Sequence, residues 1–207
     1  MPSLTIRSFA ELLNLPAHAQ AKILTEQKYP KQGPQSFKTP YYQQALSGIR
    51  SFYRAGNDPE QLVAASMRID AFKQESKRDN NLRVLNSFKQ SELANRKLQL
   101  AGVKHLNFKT DDVVLRFSPD LGGDEDGTQR FVLLHYRAQP LDPELARTTL
   151  ELAHWALESA GAPISVKQLE YVDLFTGTPH LIAKRRASTV TVAQQNLKII
   201  QALWPTL

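Results

Sequence analysis

The stretch DPELARTTLELAHWALESAG, residues 142–161, constrains the fold more than any other part of the chain. Asp142 supplies an N-cap carboxylate, Pro143 takes the first helical position, and Gly161 closes the pattern, so the segment reads as a helix. On either side lie RFVLLHYR (130–137) and VKQLEYVDLF (166–175), short runs rich in β-branched, aliphatic and aromatic residues that read as strands. A strand, a crossover helix and a second strand place the two strands parallel, with a right-handed connection. A sheet with helices laid on it is the expected architecture.

Upstream, VKHLNF (103–108) and VVLRF (113–117) read as two further strands able to pair antiparallel. Residues 80–100 carry Leu82, Leu85, Phe88, Leu93 and Leu98 among polar residues, the pattern of a long amphipathic helix ended by Gly102. The order from residue 80 is therefore αβββαβ. Before it the chain is helical: a capping-box pattern at Ser8-Phe9-Ala10-Glu11 closed by Pro16, then a stretch over 17–27. Thr39-Pro40 opens a helix whose apolar face runs Tyr41, Ala45, Ile49 and Phe52, and Asp58-Pro59-Glu60 opens another. A last amphipathic helix is expected over 190–203. The division is a helical region, 1–79, packed on an α/β core with a C-terminal helix, 80–207.

Charge is unevenly distributed. Residues 1–110 hold 17 Lys/Arg against 8 Asp/Glu, whereas residues 111–207 hold 9 against 12. A basic half points to an anionic partner, with nucleic acid, DNA or RNA, the first expectation. Lys28, Lys31 and Lys38 alternate with Tyr29, Phe37, Tyr41 and Tyr42, the mixture a strand-tracking surface uses, and Arg50 and Arg54 follow one helical turn apart. The competing reading packs the rings between helices and leaves the lysines to solvate a loop. The Pro-rich segment 29–40 is equally suited to docking a protein partner. No run approaches the ~18–20 apolar residues of a membrane span, so no membrane partner is expected. MPSLTIRSFAELL interrupts its apolar stretch with an acid, unlike a secretory signal. With no cysteine, disulfides and thiolate metal sites are excluded, and a cytoplasmic location is expected. His105, His135, His154 and His180 lack HxxxH or HxH spacing, so no dedicated zinc site is expected.

Two short motifs end strands. Pro119-Asp120 follows VVLRFS, and the next strand ends in His135-Tyr136-Arg137 across the Gly- and acid-rich turn GDEDG. With the αβββαβ order over residues 80–177, this resembles the core of the PD-(D/E)XK nuclease-like superfamily. In that family Pro-Asp lies near the end of the second core strand, and the third ends in Asp/Glu, any residue, Lys. The resemblance implies a restriction-endonuclease-like α/β fold with a mixed sheet, and a phosphodiesterase site containing Asp120, His135 and Arg137. His135 falls at the acidic position and Arg137 at the lysine.

A site of that kind holds Mg²⁺ through two carboxylates and waters. Asp120 is the metal-ligand candidate. His135 suits Mn²⁺ or Zn²⁺ better than Mg²⁺. Arg137 cannot shed its proton and presents a fork that fits phosphate. These departures favour a site that grips a backbone over one that cuts it. The reading is a nucleic-acid-binding protein with a degenerate, inactive centre and no required cofactor, contacting phosphate through Arg137, Arg116 and Lys184-Arg185-Arg186. Two alternatives remain open. One is an active Mg²⁺- or Mn²⁺-dependent nuclease whose second acid has moved to Glu92, Glu144 or Glu151. The other is a protein-interaction module.

Overall fold

The structure, a computed structural model, describes residues 1–29, 41–101, 106–110, 112–162 and 164–207. It is a mixed α/β protein. In chain order the N-terminal elements are β1 (Ser3–Thr5), α1 (Ile6–Leu13), α2 (Ala17–Lys28), α3 (Gln43–Arg54), α4 (Glu60–Asp70) and α5 (Glu75–Gln90). Five strands follow: β2 (Gln99–Leu100), β3 (Leu106–Thr110), β4 (Val113–Phe117), β5 (Leu121–Glu125) and β6 (Thr128–His135). The chain finishes with α6 (Pro143–Ser159), β7 (Leu169–Asp173), β8 (Thr178–His180) and α7 (Ala187–Leu203).

The crossover forms as its sequence requires. The Asp142 carboxylate accepts from Leu145 N at 2.8 Å at the head of α6, and β6 and β7 pair in parallel with Leu133 opposite Tyr171. The larger sheet has the order β2-β5-β6-β7-β8, and a smaller one the order β1-β4-β3, with β1 parallel to β4. Alternation along β6 sends Val132 and Leu134 to one face and Leu133 to the other. The first face joins Leu121 and Val172 against Ile49, Phe52, Leu85 and Phe88 of α3 and α5. The second joins Leu169 and Tyr171 against α6, which β4, α1 and α7 cover in turn. Packed on both sides, α6 buries every residue from Thr149 to Leu157, which is why its apolar pattern is so dense. The N-terminal helices thus lie on both sides of the large sheet: Leu24 of α2 joins the α6 side and α3–α5 the other.

Three expectations are corrected. First, LGGDE is strand β5, not part of a turn, and it, not VVLRF, is the antiparallel partner of β6. The turn is only Asp126-Gly127, both at positive φ (51° and 76°), as a two-residue hairpin demands. Gly123 belongs in the strand because β2 approaches so closely that a Cβ there would lie 2.2 Å from the Gln99 carbonyl oxygen. Second, the helix expected over 80–100 ends at Gln90. Extended Ser91 and a 3₁₀ turn, Glu92–Asn95, lead to β2, and Arg96 is drawn to Glu125 at 2.6 Å and Glu170 at 2.5 Å. Third, Thr5 caps α1, its hydroxyl accepting from Ser8 N at 3.1 Å, so the Ser8 capping box does not form. The helix start expected at Thr39-Pro40 and the stop at Gly102 lie outside the described residues. Among the described residues, no helix is long and apolar enough to cross a membrane.

Candidate functional site

The carboxyl ends of β6 and β7 share one edge of the large sheet, the edge at which open α/β sheets form ligand crevices. Asp120 stands there, just before β5. Its N–H donates to Val132 O at 2.9 Å, and its Oδ2 accepts from Leu134 N at 2.7 Å. Its carbonyl accepts from Arg50 Nε at 2.8 Å. The same Oδ2 also receives the Arg7 guanidinium, carried by the first turn of α1. Asp120 is buried, 7% exposed, so this pairing decides what its carboxylate can do.

Burial disfavours the Arg7 charge, but Asp120 foremost, then Tyr171 and Tyr136, outweigh it and raise the guanidinium above its ordinary value. Arg7 also lies over the Tyr171 ring, 5.6 Å from its centroid. Tyr136 stacks on Tyr42 with centroids 5.3 Å apart, and Tyr42 meets Tyr41 edge-on at 4.9 Å. Burial, then the Asp120 charge, push the Tyr136 hydroxyl well above the usual tyrosine range. Arg83 donates to the Tyr136 carbonyl at 3.1 Å. Arg50 and Arg54 line a groove of about 140 Å³ with Asp120 and Gly122.

Other expected site residues are placed differently. His135 Nε2 lies 2.9 Å from Gln139 O, and since a carbonyl only accepts, that nitrogen carries a proton and is lost as a metal ligand. Arg137 is exposed and pairs with Glu11 at 2.7 Å. Glu151 does not join Asp120. It is fully buried toward α7, accepting from Thr189, from Arg147 at 2.9 Å and from Arg186 at 3.1 Å. Glu92 is exposed on the 3₁₀ turn, and Glu144 pairs with Arg186 at 3.0 Å. The basic run is largely neutralised: Arg185 binds Glu158 at 2.5 Å and Arg186 binds Glu144 and Glu151, leaving Lys184 exposed. Lys28 donates to the Trp204 carbonyl at 2.7 Å and fastens α2 to the end of α7. Arg116 is exposed on β4, opposite Thr5 of β1. Lys31, Lys38, His105 and most of the Pro-rich segment lie outside the described residues. Asp173 accepts from Leu141 N and Phe175 N, both at 2.8 Å, so it shapes loops.

These residues do not fit a divalent ion. Among the described residues no three His, Asp or Glu side chains group to hold one. An ion on Asp120 would face the Arg7 charge with no second acid to offset it. Arg7 and Tyr171 escaped the sequence reading, and Tyr136 entered it only as the unspecified middle residue of the motif. Arg7 left one faint signal: a cation in the first turn of a helix sits at the positive end of the dipole and calls for an anionic partner.

Compared with protein-family models, curated proteins and solved structures, the chain matches none. Its class is set by its own geometry: a mixed α/β protein with two arginine-bearing hollows near the carboxyl edge of its larger sheet, one lined by Arg7 and Arg137 and the other by Arg50 and Arg54.

Proposed function

We propose that this protein binds nucleic acid at the carboxyl edge of the five-stranded sheet and does not cleave it, on a frame of the PD-(D/E)XK nuclease-like type. One observation carries the reading. Arg7, Arg50, Arg54, Arg83 and Arg137 come from four segments to the surroundings of Asp120 and Tyr136, where Glu11 and Asp120 are the acids they meet. Guanidinium groups suit phosphate oxygens and release counterions when they bind a backbone. The arrangement also supports the absence of hydrolysis, because Arg7 holds the carboxylate that a catalytic metal would need. The nuclease-like frame is supported by the α6 crossover that joins β6 to a parallel β7, although Pro119-Asp120 stands at the head of β5, the antiparallel partner of β6, and not near its end.

Fluorescence anisotropy with labelled single- and double-stranded DNA and RNA across a salt series tests this. Binding should weaken steeply with salt, and Arg50→Gln with Arg54→Gln should lower the log–log slope by about 2, roughly one per lost phosphate contact. No cleavage should occur with Mg²⁺ or Mn²⁺. Affinity indifferent to salt, or cleavage abolished by Asp120→Ala, refutes the proposal.

A further inference from the structure

Arg50, Arg54 and Arg83 differ from the other arginines at the carboxyl edge of the large sheet. Arg7 and Arg137 each pair with a carboxylate. Arg50 is instead aimed by the main-chain carbonyl of Asp120 at 2.8 Å. Arg83 is aimed by the carbonyl of Tyr136 at 3.1 Å and by Asn80 Oδ1 at 3.2 Å. Arg54 is exposed one turn beyond Arg50 and lines the same groove. Among the described residues no acid makes an ion pair with any of the three. An amide oxygen orients a guanidinium without cancelling its charge, so these groups keep donors and a full positive charge for an anion.

Aromatic rings adjoin these cations. Tyr136, whose carbonyl holds Arg83, stacks on Tyr42, and Tyr42 meets Tyr41 edge-on. Tyr41 is the most exposed of the three, at 38%. Its ring is nevertheless fixed: Asn81 Nδ2 donates to its carbonyl at 3.0 Å and Asn80 Nδ2 to its hydroxyl at 3.2 Å. The Asn80 amide therefore joins cation to ring, accepting from Arg83 and donating to Tyr41. A ring already held in place loses little freedom when a ligand covers it.

We propose that this surface selects single-stranded nucleic acid over duplex, with phosphates on Arg50, Arg54 and Arg83 and one base against Tyr41. A duplex hides its base faces in its own stack and offers a protein phosphates and groove edges, for which an exposed ring does nothing. Unpaired bases present π-faces that an aromatic side chain can cover whatever the sequence, while cations track the backbone. DNA and RNA single strands share this chemistry. The selectivity rests on the nucleic-acid reading above and adds strandedness to it.

The test measures, by anisotropy, a single strand and the blunt duplex of the same sequence and length, both as DNA and as RNA. In at least one polymer the single strand should bind at least about fivefold tighter, the low end of what stacking one base is worth. A margin confined to one polymer identifies the sugar. Tyr41→Leu keeps apolar bulk against Tyr42 but removes the ring, and should erase most of the margin without changing the salt dependence. Tyr41→Phe should retain the margin. Arg83→Gln should weaken strand binding and lower the log–log salt slope by about 1. Equal affinity for strand and duplex, a preference for duplex, or a margin undiminished in Tyr41→Leu overturns the selectivity and leaves the general nucleic-acid reading standing. Binding of neither form overturns both.

Discussion

Arg7→Met removes the guanidinium from a buried carboxylate while keeping an aliphatic stem of similar reach. Asp120 would then retain the Leu134 N–H on its carboxylate and Arg50 on its carbonyl, but no cation paired directly with the carboxylate. Breaking a buried pair from one side costs ~3–5 kcal/mol, while exposed pairs are worth ~0–1 kcal/mol. The side chains here are 28% and 9% exposed, so solvent screens part of the interaction. An intermediate loss of about 2–3 kcal/mol follows, including the contact of Arg7 with Tyr171. In a chain of this size that lowers the thermal midpoint by roughly 4–12 °C. Asp120→Asn keeps an oxygen for Leu134 N–H and strands Arg7 instead, costing about 1.5–2.5 kcal/mol. Because both substitutions disrupt one pair, the double variant should fall short of their sum by at least about 1 kcal/mol. Urea denaturation of the four proteins at a common m-value measures this cycle. A coupling below about 0.5 kcal/mol would show that Arg7 does not neutralise Asp120, and the argument against metal chemistry would fail with it.

Three further outcomes are expected. Burial would raise the Glu151 carboxyl, but Thr189, Arg147 and Arg186 hold it below its ordinary 4.5. Its stabilisation is therefore complete above that pH and is lost as pH falls through the lower folded value. Thermal midpoints from pH 7 to 3 should show Glu151→Gln destabilised at neutrality and converging on the parent in acid, and a constant gap refutes the assignment. Gly123→Ala should cost about 1–3 kcal/mol in urea denaturation, because the obstructing atom is a backbone oxygen that cannot rotate away. Hydrogen exchange should speed at Ala101 N–H, which donates to Gly122 O at 2.9 Å; unchanged protection would mean β2 stays paired. Tyr136→Phe should cost about 0.5–1.5 kcal/mol in urea denaturation, since the Asp120 carboxylate is the acceptor beside its hydroxyl. No loss would show that the hydroxyl and Asp120 do not interact.

Legibility in the sequence followed the range of the interactions. Asp142, Pro143 and Gly161 mark α6 because caps and first-turn prolines act within a few residues, and parallel pairing of β6 with β7 follows from the length of the crossover. The Gly-Gly pair at 122–123 misled because β-propensity penalises glycine, while the reason for glycine there is the approach of Gln99, distant in sequence. Lys28, Arg185 and Arg186 look like a phosphate-binding set in one dimension. The ends of α6 and α7 capture them in three.

By itself the sequence determined the helices with strong caps, the crossover and the unbroken apolar run that makes β6 central. Only the tertiary structure decided that Arg7, 113 residues away, would hold the Asp120 carboxylate, that His135 would turn to Gln139 O, and that the Tyr136 hydroxyl would be buried beside Asp120. Periodicity and caps report what a residue does to its own segment. Which charge neutralises which depends on how β1 docks beside β4 and carries α1 over the sheet, and no local pattern encodes that docking.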